Sequence, residues 1–193
     1  MYGLTAIEDQ RLLYHLTSIK NIGGILERGL KPRAKLRKFK DIADPEIIAD
    51  RKALSLEKYV PFHWFAKNPF DGRVQLDQPG ELFILISVYR SLAERENWKI
   101  IPCHPLASSD IELLDYAEGL DAIDWEAMNR RDYSDSSSKS VCMAECLSPR
   151  IVKPDEFSRI FVCDDKSAIR VERVKKKFGV NVDVTVNENM FVT

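Results

Sequence analysis

Residues 13–30, LYHLTSIKNIGGILERGL, run from an apolar stretch carrying a histidine, through a polar break, into a helix that a glycine stops. Leu12, Leu13, Tyr14 and Leu16 are strand-like, and the two-residue alternation of a strand puts His15 and Thr17 on one side and Tyr14 and Leu16 on the other. Ser18 is placed to cap a helix, Ile19, Ile22, Ile25 and Leu26 recur at helical spacing, and Gly29 stands where a C-cap glycine belongs. The pattern predicts a strand edge presenting His15 and Thr17 beside a helix, a setting in which backbone amides and an imidazole grip a small polar ligand. A lone histidine on a half-apolar strand is more often a satisfied structural residue, and His15 alone does not decide between the two.

The chain has 193 residues, 45% of them hydrophobic and 31% charged, which fits one domain over residues 1–193 with room for a substantial core. No stretch approaches the roughly 18 consecutive apolar residues of a membrane span, and MYGLTAIEDQRLLYHLT lacks the basic start and apolar run of a secretory signal. A cytoplasmic setting without membrane contact is expected. Cys103, Cys142, Cys146 and Cys163 lack metal-type spacing and read as reduced thiols. Cys103 beside His104 could suggest a nucleophile and its base, but strand neighbours point to opposite faces.

A net charge of -1 argues against binding nucleic acid through bulk charge, yet it hides a local block. Residues 31–40, KPRAKLRKFK, hold six basic residues and no acid. A second cluster, Arg170, Arg173 and Lys175 to Lys177, lies near the end of a helix expected over Ser167 to Phe178, where cations complement the helix dipole. Between the first block and Val60, Pro45 opens a helical piece bearing Ile47, Ile48 and Arg51, within a long connection of the kind that forms binding loops. Arg51 is its most interesting member, although pairing with Asp50 or Glu57 would equally satisfy it.

Residues 59–70, YVPFHWFAKNPF, alternate as a strand and end in an Asn68-Pro69 turn signal, and by themselves read as core. Glu81 to Val88 is a strand buried on both faces, Arg90 to Asn97 a helix, Trp98 to Ile101 a short strand and Pro102 to Leu106 a rigid loop. Ile111 to Tyr116 and Asp124 to Asn129 read as short helices covering a site rim, and the polar segment Asp132 to Ser140 as flexible. Val141 to Leu147 is apolar apart from Glu145. A carboxylate in such a strand needs a partner, a ligand or an edge position facing solvent. Phe157 to Val162 and Val180 to Val186 complete the strands, and Met190 to Val192 forms an apolar plug.

The Tyr14-His15-Leu16-Thr17 run, the Ile22 to Leu26 helix and Gly29-Leu30 resemble the opening of ADP-ribosyltransferase folds, in which the histidine binds the NAD ribose and neighbouring backbone holds the nicotinamide amide. The Tyr59-Val60-Pro61-Phe62 strand, the Lys67-Asn68-Pro69 stretch and the Ala144-Glu145 pair after a polar loop resemble the DarT family of DNA-modifying ADP-ribosyltransferase toxins. His63 and Trp64 depart from that family, which more often shows tyrosine and phenylalanine there. The resemblance implies an α+β, ADP-ribosyltransferase-like fold with central split mixed and antiparallel sheets and flanking helices. It implies transfer of ADP-ribose from NAD onto a base of single-stranded DNA, with no metal, and a macrodomain-type antitoxin as a further partner. Glu145 and Arg51 would be catalytic, and His15, Leu16, Thr17, Ser18, Gly24 and Arg51 would bind NAD. Lys31, Arg33, Lys35, Arg37, Lys38, Lys40 and Lys67 would hold the strand's phosphates, with Trp64, Phe65 or Tyr133 stacking a base. Two rivals stay open: an enzyme of the same fold acting on RNA, by base modification or 2'-phosphate transfer, and a catalytically inactive binding module.

Overall fold

The computed structural model describes residues 5–43, 45–105 and 112–192, and the side chains of 45–47 are left aside. In chain order the elements are β1 (Leu12–Ser18), α1 (Ile22–Arg28), α2 (Pro45–Ala53), β2 (Val60–His63), α3 (Pro69–Asp77), β3 (Phe83–Tyr89), α4 (Arg90–Arg95) and β4 (Lys99–Ile101). There follow α5 (Tyr116–Ala122), α6 (Trp125–Arg130), α7 (Ser136–Val141), β5 (Glu145–Ser148), β6 (Arg159–Val162), α8 (Asp165–Phe178) and β7 (Asp183–Val186). The strands form a mixed sheet in the order β4-β5-β2-β1-β3-β6-β7, antiparallel except for the parallel pair β6 and β7.

The expected split takes a definite form. β1 pairs with β3 at seven successive positions, from Leu12 opposite Tyr89 to Ser18 opposite Phe83, but with β2 only at Tyr14 opposite His63. Two ladders, β4-β5-β2 and β1-β3-β6-β7, are thus joined at one residue pair and part beyond it. β3 is the centre of the larger ladder, with Ile84, Leu85, Ile86 and Val88 all fully buried, as a strand covered on both faces requires. One face packs Leu13, Ile84, Ile86, Phe62, Ile100 and Cys146 against α1, α8 and the connecting helices, and the other packs Leu16, Leu85, Phe161 and Val74. Phe191 of the C-terminal plug is buried in that second cluster.

Gly29 ends α1 at φ 80°, and a side chain there would meet the Val152 carbonyl oxygen at 2.6 Å, so only glycine fits between α1 and the Leu30–Val152 bridge. Several local expectations change. Ser18 caps a 3-10 turn over Ile19–Asn21 that precedes α1. Asn68-Pro69 does not merely turn the chain: the Asn68 side chain accepts the Asp71 N–H and starts α3. The polar segment read as flexible contains α7, because Asp135 caps the Ser137 and Ser138 amides. The glutamate strand is shorter than expected and begins at Glu145 itself.

Leu106 and Ile111 lie outside the described residues. Leu114 bridges Ile100, and the following helix starts at Tyr116. α5 and α6 cover no site rim, since Tyr116, Ile123 and Met128 are buried in the main core and Gly119 abuts Ile100. The four cysteines are free thiols, and Cys103 Sγ faces the His104 carbonyl oxygen at 3.9 Å. Among the described residues no helix is long and apolar enough to cross a membrane, and no group of three or more His, Cys, Asp or Glu could hold a metal ion.

Candidate active site

Where the ladders part, a cleft of about 390 Å³ opens, lined by β1, α1, the basic segment, α2 and β2. This volume falls within the range of roughly 300–1,000 Å³ usual for small-molecule sites. Glu145 stands at its floor. Its strand lies between β2 and β4, placing it opposite both His63 and Ile101, and it is 5% exposed. An edge position facing solvent is therefore ruled out. The partner that such a carboxylate needs is Arg51 of α2, whose Nη1 donates to both Glu145 oxygens at 2.7 and 2.9 Å. Asp50 and Glu57 are not its partners.

His15 crosses the split. Its Nδ1 lies 2.8 Å from the Pro61 carbonyl oxygen, and a carbonyl only accepts, so Nδ1 carries the proton and Nε2 is left as an acceptor. Burial holds the imidazole down to about 4, against the opposing pull of the Pro61 bond. His63 is also held below the usual histidine range by burial, opposed by the Glu145 carboxylate.

Asn21 was not singled out from the sequence, yet it fixes the cleft's outer wall. Its amide donates to Thr17 Oγ1 (3.1 Å) and to the Lys40 carbonyl (2.8 Å), and its Oδ1 accepts the Lys40 N–H (2.7 Å). Gln78, which follows the end of α3, donates to the Ile42 carbonyl at 2.8 Å. The basic segment is thereby folded over the cleft, with Lys31, Arg33, Lys38 and Lys40 on its lining.

Among the described residues, six buried side-chain atoms have no hydrogen-bond partner: Arg51 Nη2, Glu57 Oε2, His63 Nδ1, Trp64 Nε1 and both Asp71 carboxyl oxygens. All but Trp64 belong to residues lining the cleft. Buried polar atoms are rarely left unpaired, so their concentration marks a surface shaped for a polar ligand. A smaller recess of about 20 Å³, lined by His104, Pro105 and Met143, lies against the same Arg51, His63, Phe70 and Glu145. The ion pair therefore borders two spaces.

A family model described as "ssDNA thymidine ADP-ribosyltransferase, DarT" matches residues 14–192. The chain belongs to the DarT family. A fusion protein from Thermosipho africanus, described as a DNA ADP-ribosyl transferase joined to a DNA ADP-ribosyl glycohydrolase, is 28% identical over 177 residues, covering 84% of this chain and 45% of that protein. The chain thus spans about half the length of that relative. Thermus sp. 2.9 DarT in complex with ADP-ribosylated ssDNA superposes with a TM-score of 0.81 at 19% identity, over 94% of this chain and 96% of the other. Thermosipho africanus DarTG in complex with ADP-ribose gives a TM-score of 0.78 at 24% identity, over 94% of this chain and 51% of that one.

Within this DarT-family chain the cleft brings together His15, Leu16, Thr17, Gly24, Arg51 and Glu145 from four separate elements. Ser18 is a correction: it is fully buried, caps the Lys20 amide and donates to Glu81 at 2.5 Å, so it serves the fold and not the cleft. Trp64 is another. Its ring is 1% exposed, meets Trp125 edge-on and lies under the Arg90 guanidinium, which leaves no face for a base. Lys35, Arg37, Lys67 and Tyr133 lie outside the cleft lining, with the Tyr133 hydroxyl 3.4 Å from the Lys67 carbonyl. Arg33 is paired with Asp41. Beyond Asn21, the sequence reading passed over Asp71. Its one usable signal was an aspartate directly after an aromatic in an otherwise core-like run.

Proposed function

We propose that this chain transfers ADP-ribose from NAD to a thymine base of single-stranded DNA, releasing nicotinamide. The observation that carries the reading is the buried Glu145–Arg51 pair within the cleft that His15 lines. The cleft volume, the accepting Nε2 of His15 and the unpartnered Arg51 Nη2 fit a dinucleotide rich in hydroxyls and phosphates.

In this reading His15 and Thr17 hold the nicotinamide ribose. As the bond from the ribose anomeric carbon to the pyridine nitrogen breaks, positive charge grows on the sugar, and the Glu145 carboxylate stabilises it and fixes the ribose hydroxyl. The acceptor base approaches from the smaller recess, its ring nitrogen forms the new bond to the anomeric carbon, and nicotinamide leaves. Arginine donates and does not accept, so the ring proton of the base passes to the Glu145 carboxylate, which borders both spaces, and Arg51 stabilises the negative charge that develops on the base meanwhile. Lys38 and Lys40 hold DNA phosphates. An unpaired base spares the energy of extrusion from a duplex.

Residues 1–193 act in this reading as one catalytic domain in the cytoplasm. The fused glycohydrolase of the Thermosipho relative supports a partner that removes the modification, a macrodomain-type antitoxin. Incubation with NAD and single-stranded oligonucleotides that contain or lack thymidine tests the activity. The expected result is nicotinamide release and an ADP-ribose mass increase on the thymidine oligonucleotide alone. Modification of an RNA oligonucleotide only, or NAD binding without transfer, overturns it in favour of an RNA-directed enzyme or a binding module.

A further inference from the structure

The second basic cluster of the sequence, on α8, lies apart from the cleft, none of whose lining residues comes from that helix. α8 buries Ser167 and Val171 and packs Val174 and Phe178 against the main core. On the flank toward β7 the Lys175 ammonium donates to Glu172 and to the Val182 carbonyl, each at 2.8 Å. The helical turn places Lys166, Arg170, Arg173 and Lys177 in one row on the opposite flank, at successive spacings of four, three and four residues. All four are exposed, and among the described residues none forms an ion pair or a side-chain hydrogen bond. Lys166 has the capping Asp164 beside it, whereas Asp165 and Glu172 fall on the other flank by the same periodicity.

Two ordinary accounts of such a row fail. The helix dipole favours cations in the last turn, which covers Lys177 and leaves Lys166, Arg170 and Arg173 outside it. A helix lying on lipid presents its apolar face to the membrane, but the apolar face of α8 is packed in the core. Like charges three and four positions apart repel, so the row weakens α8 unless an anion lies along it. Its length is about 16 Å at the rise of an α-helix, enough to meet several successive phosphates of a nucleic-acid strand, and each guanidinium can grip a phosphate with paired donors. α1 joins this row to the cleft: its Asn21, Gly24 and Arg28 line the cleft, and the same helix packs against α8. The separation is thus on the order of one helix diameter, about 10 Å. Given the single-stranded DNA reading above, on which this rests, we propose that the Lys166–Lys177 face of α8 anchors the phosphates of nucleotides flanking the modified base. The strand then has a second contact outside the cleft, one that is blind to base identity because phosphates carry no sequence.

The test compares wild type with the triple variant Arg170→Gln/Arg173→Gln/Lys177→Gln on thymidine-containing strands of about three and about twenty nucleotides, the first confined to the cleft and the second long enough to reach α8. Binding of the labelled long strand is followed by fluorescence anisotropy without NAD at several salt concentrations, and transfer onto both strands by nicotinamide release. The variant is expected to bind the long strand about tenfold more weakly at low salt, with the slope of log affinity against log salt shallower by about 2, since each phosphate contact contributes roughly 0.7. The KM for the long strand should rise in step, while kcat, the KM for NAD and the KM for the short strand stay at wild-type values. Long-strand affinity and salt slope equal to wild type overturn the proposal while the transfer reading stands. So does an equal loss with the short strand, which would mark a general effect of net charge. Should wild type release no nicotinamide with either strand, the transfer reading fails and the anisotropy alone decides: weaker long-strand binding in the variant keeps α8 as a nucleic-acid surface, and unchanged binding removes it.

Discussion

β1 has two seams of opposite character. Toward β3 it is paired at all seven positions, and the facing pairs Leu13–Val88 and Leu16–Leu85 are 5% exposed or less. Toward β2 it is paired once, and the gap beyond is crossed by the His15 bond to the Pro61 carbonyl. A continuous ladder satisfies every backbone group and leaves no space. A parted one leaves polar groups from both sides facing a common void, and the unpartnered atoms of Arg51, His63 and Asp71 are gathered there. One strand thus carries the fold on one edge and the chemistry on the other.

The sharpest way to break this division is Glu145→Gln, on the parted side. It keeps the shape but removes the charge opposed to the developing cation, so transfer is expected to fall about 10³-fold, at the upper end of what one preorganised electrostatic group supplies. NAD should still raise the melting temperature by mass action. Retention of more than a tenth of wild-type turnover would sink the catalytic assignment. On the paired side, Ile86→Ala should do the reverse. Ile86 is fully buried opposite His15, and its truncation costs about 2–5 kcal/mol, a melting point lower by roughly 5–15 °C, with turnover per folded molecule close to wild type. An unchanged melting curve would show that the β3 seam is not where stability resides.

Acid and base probe the parted seam from opposite directions. Unfolded His15 takes up a proton near 6.5, whereas the folded residue does so only near 4, so unfolding binds a proton in that window and stability falls as pH drops through it. His63, held low by burial, adds in the same direction. Asp71 acts oppositely: the folded acid keeps its proton up to about 8 while the unfolded one releases it near 3.8, so stability falls as pH rises across that range. Melting temperature is therefore expected to be nearly level between about 4 and 6.5 and to decline from there to about 8. Asp71→Asn should remove the decline and let the histidine slope emerge on the acid side. A decline that persists in that variant would assign it to other groups.

How much of this was visible in the sequence depended on whether the signal was local. The β1–α1 unit, the buried β3 run and the α8 amphipathic pattern followed from periodicity and caps, and Glu145 stood out because a carboxylate in an apolar strand demands a partner. The identity of that partner is a contact over 94 positions, Arg51 to Glu145, which no spacing rule reaches. Trp64 was misplaced because alternation says which residues share a face, not whether the strand continues: β2 ends at His63, and Trp64 turns into the core. Asp71 was hidden by its helix position, where an acid is ordinarily a cap, and only its complete burial distinguishes it.

The smallest expected effect concerns how the cleft keeps its outer wall. Asn21 sits on the short turn between β1 and α1, and its amide joins Thr17 on the strand to both backbone groups of Lys40. These bonds are partly exposed, so each is worth only about 0.5–1.5 kcal/mol, and Asn21→Ala should lower the melting temperature by only a few degrees. Its consequence for binding should be larger than for stability, because the segment it pins forms the outer wall of the cleft, where the Gln78 bond to Ile42, the Arg33–Asp41 pair and the packing of Ile42 also hold it. A several-fold rise in the KM for NAD with turnover preserved is the expected signature, since the bonds Asn21 makes go to Thr17 and Lys40 and not to the Glu145–Arg51 pair. Equal losses in both parameters would place Asn21 among the residues that shape the reacting centre. No change in either would mean that the basic segment holds its place without it.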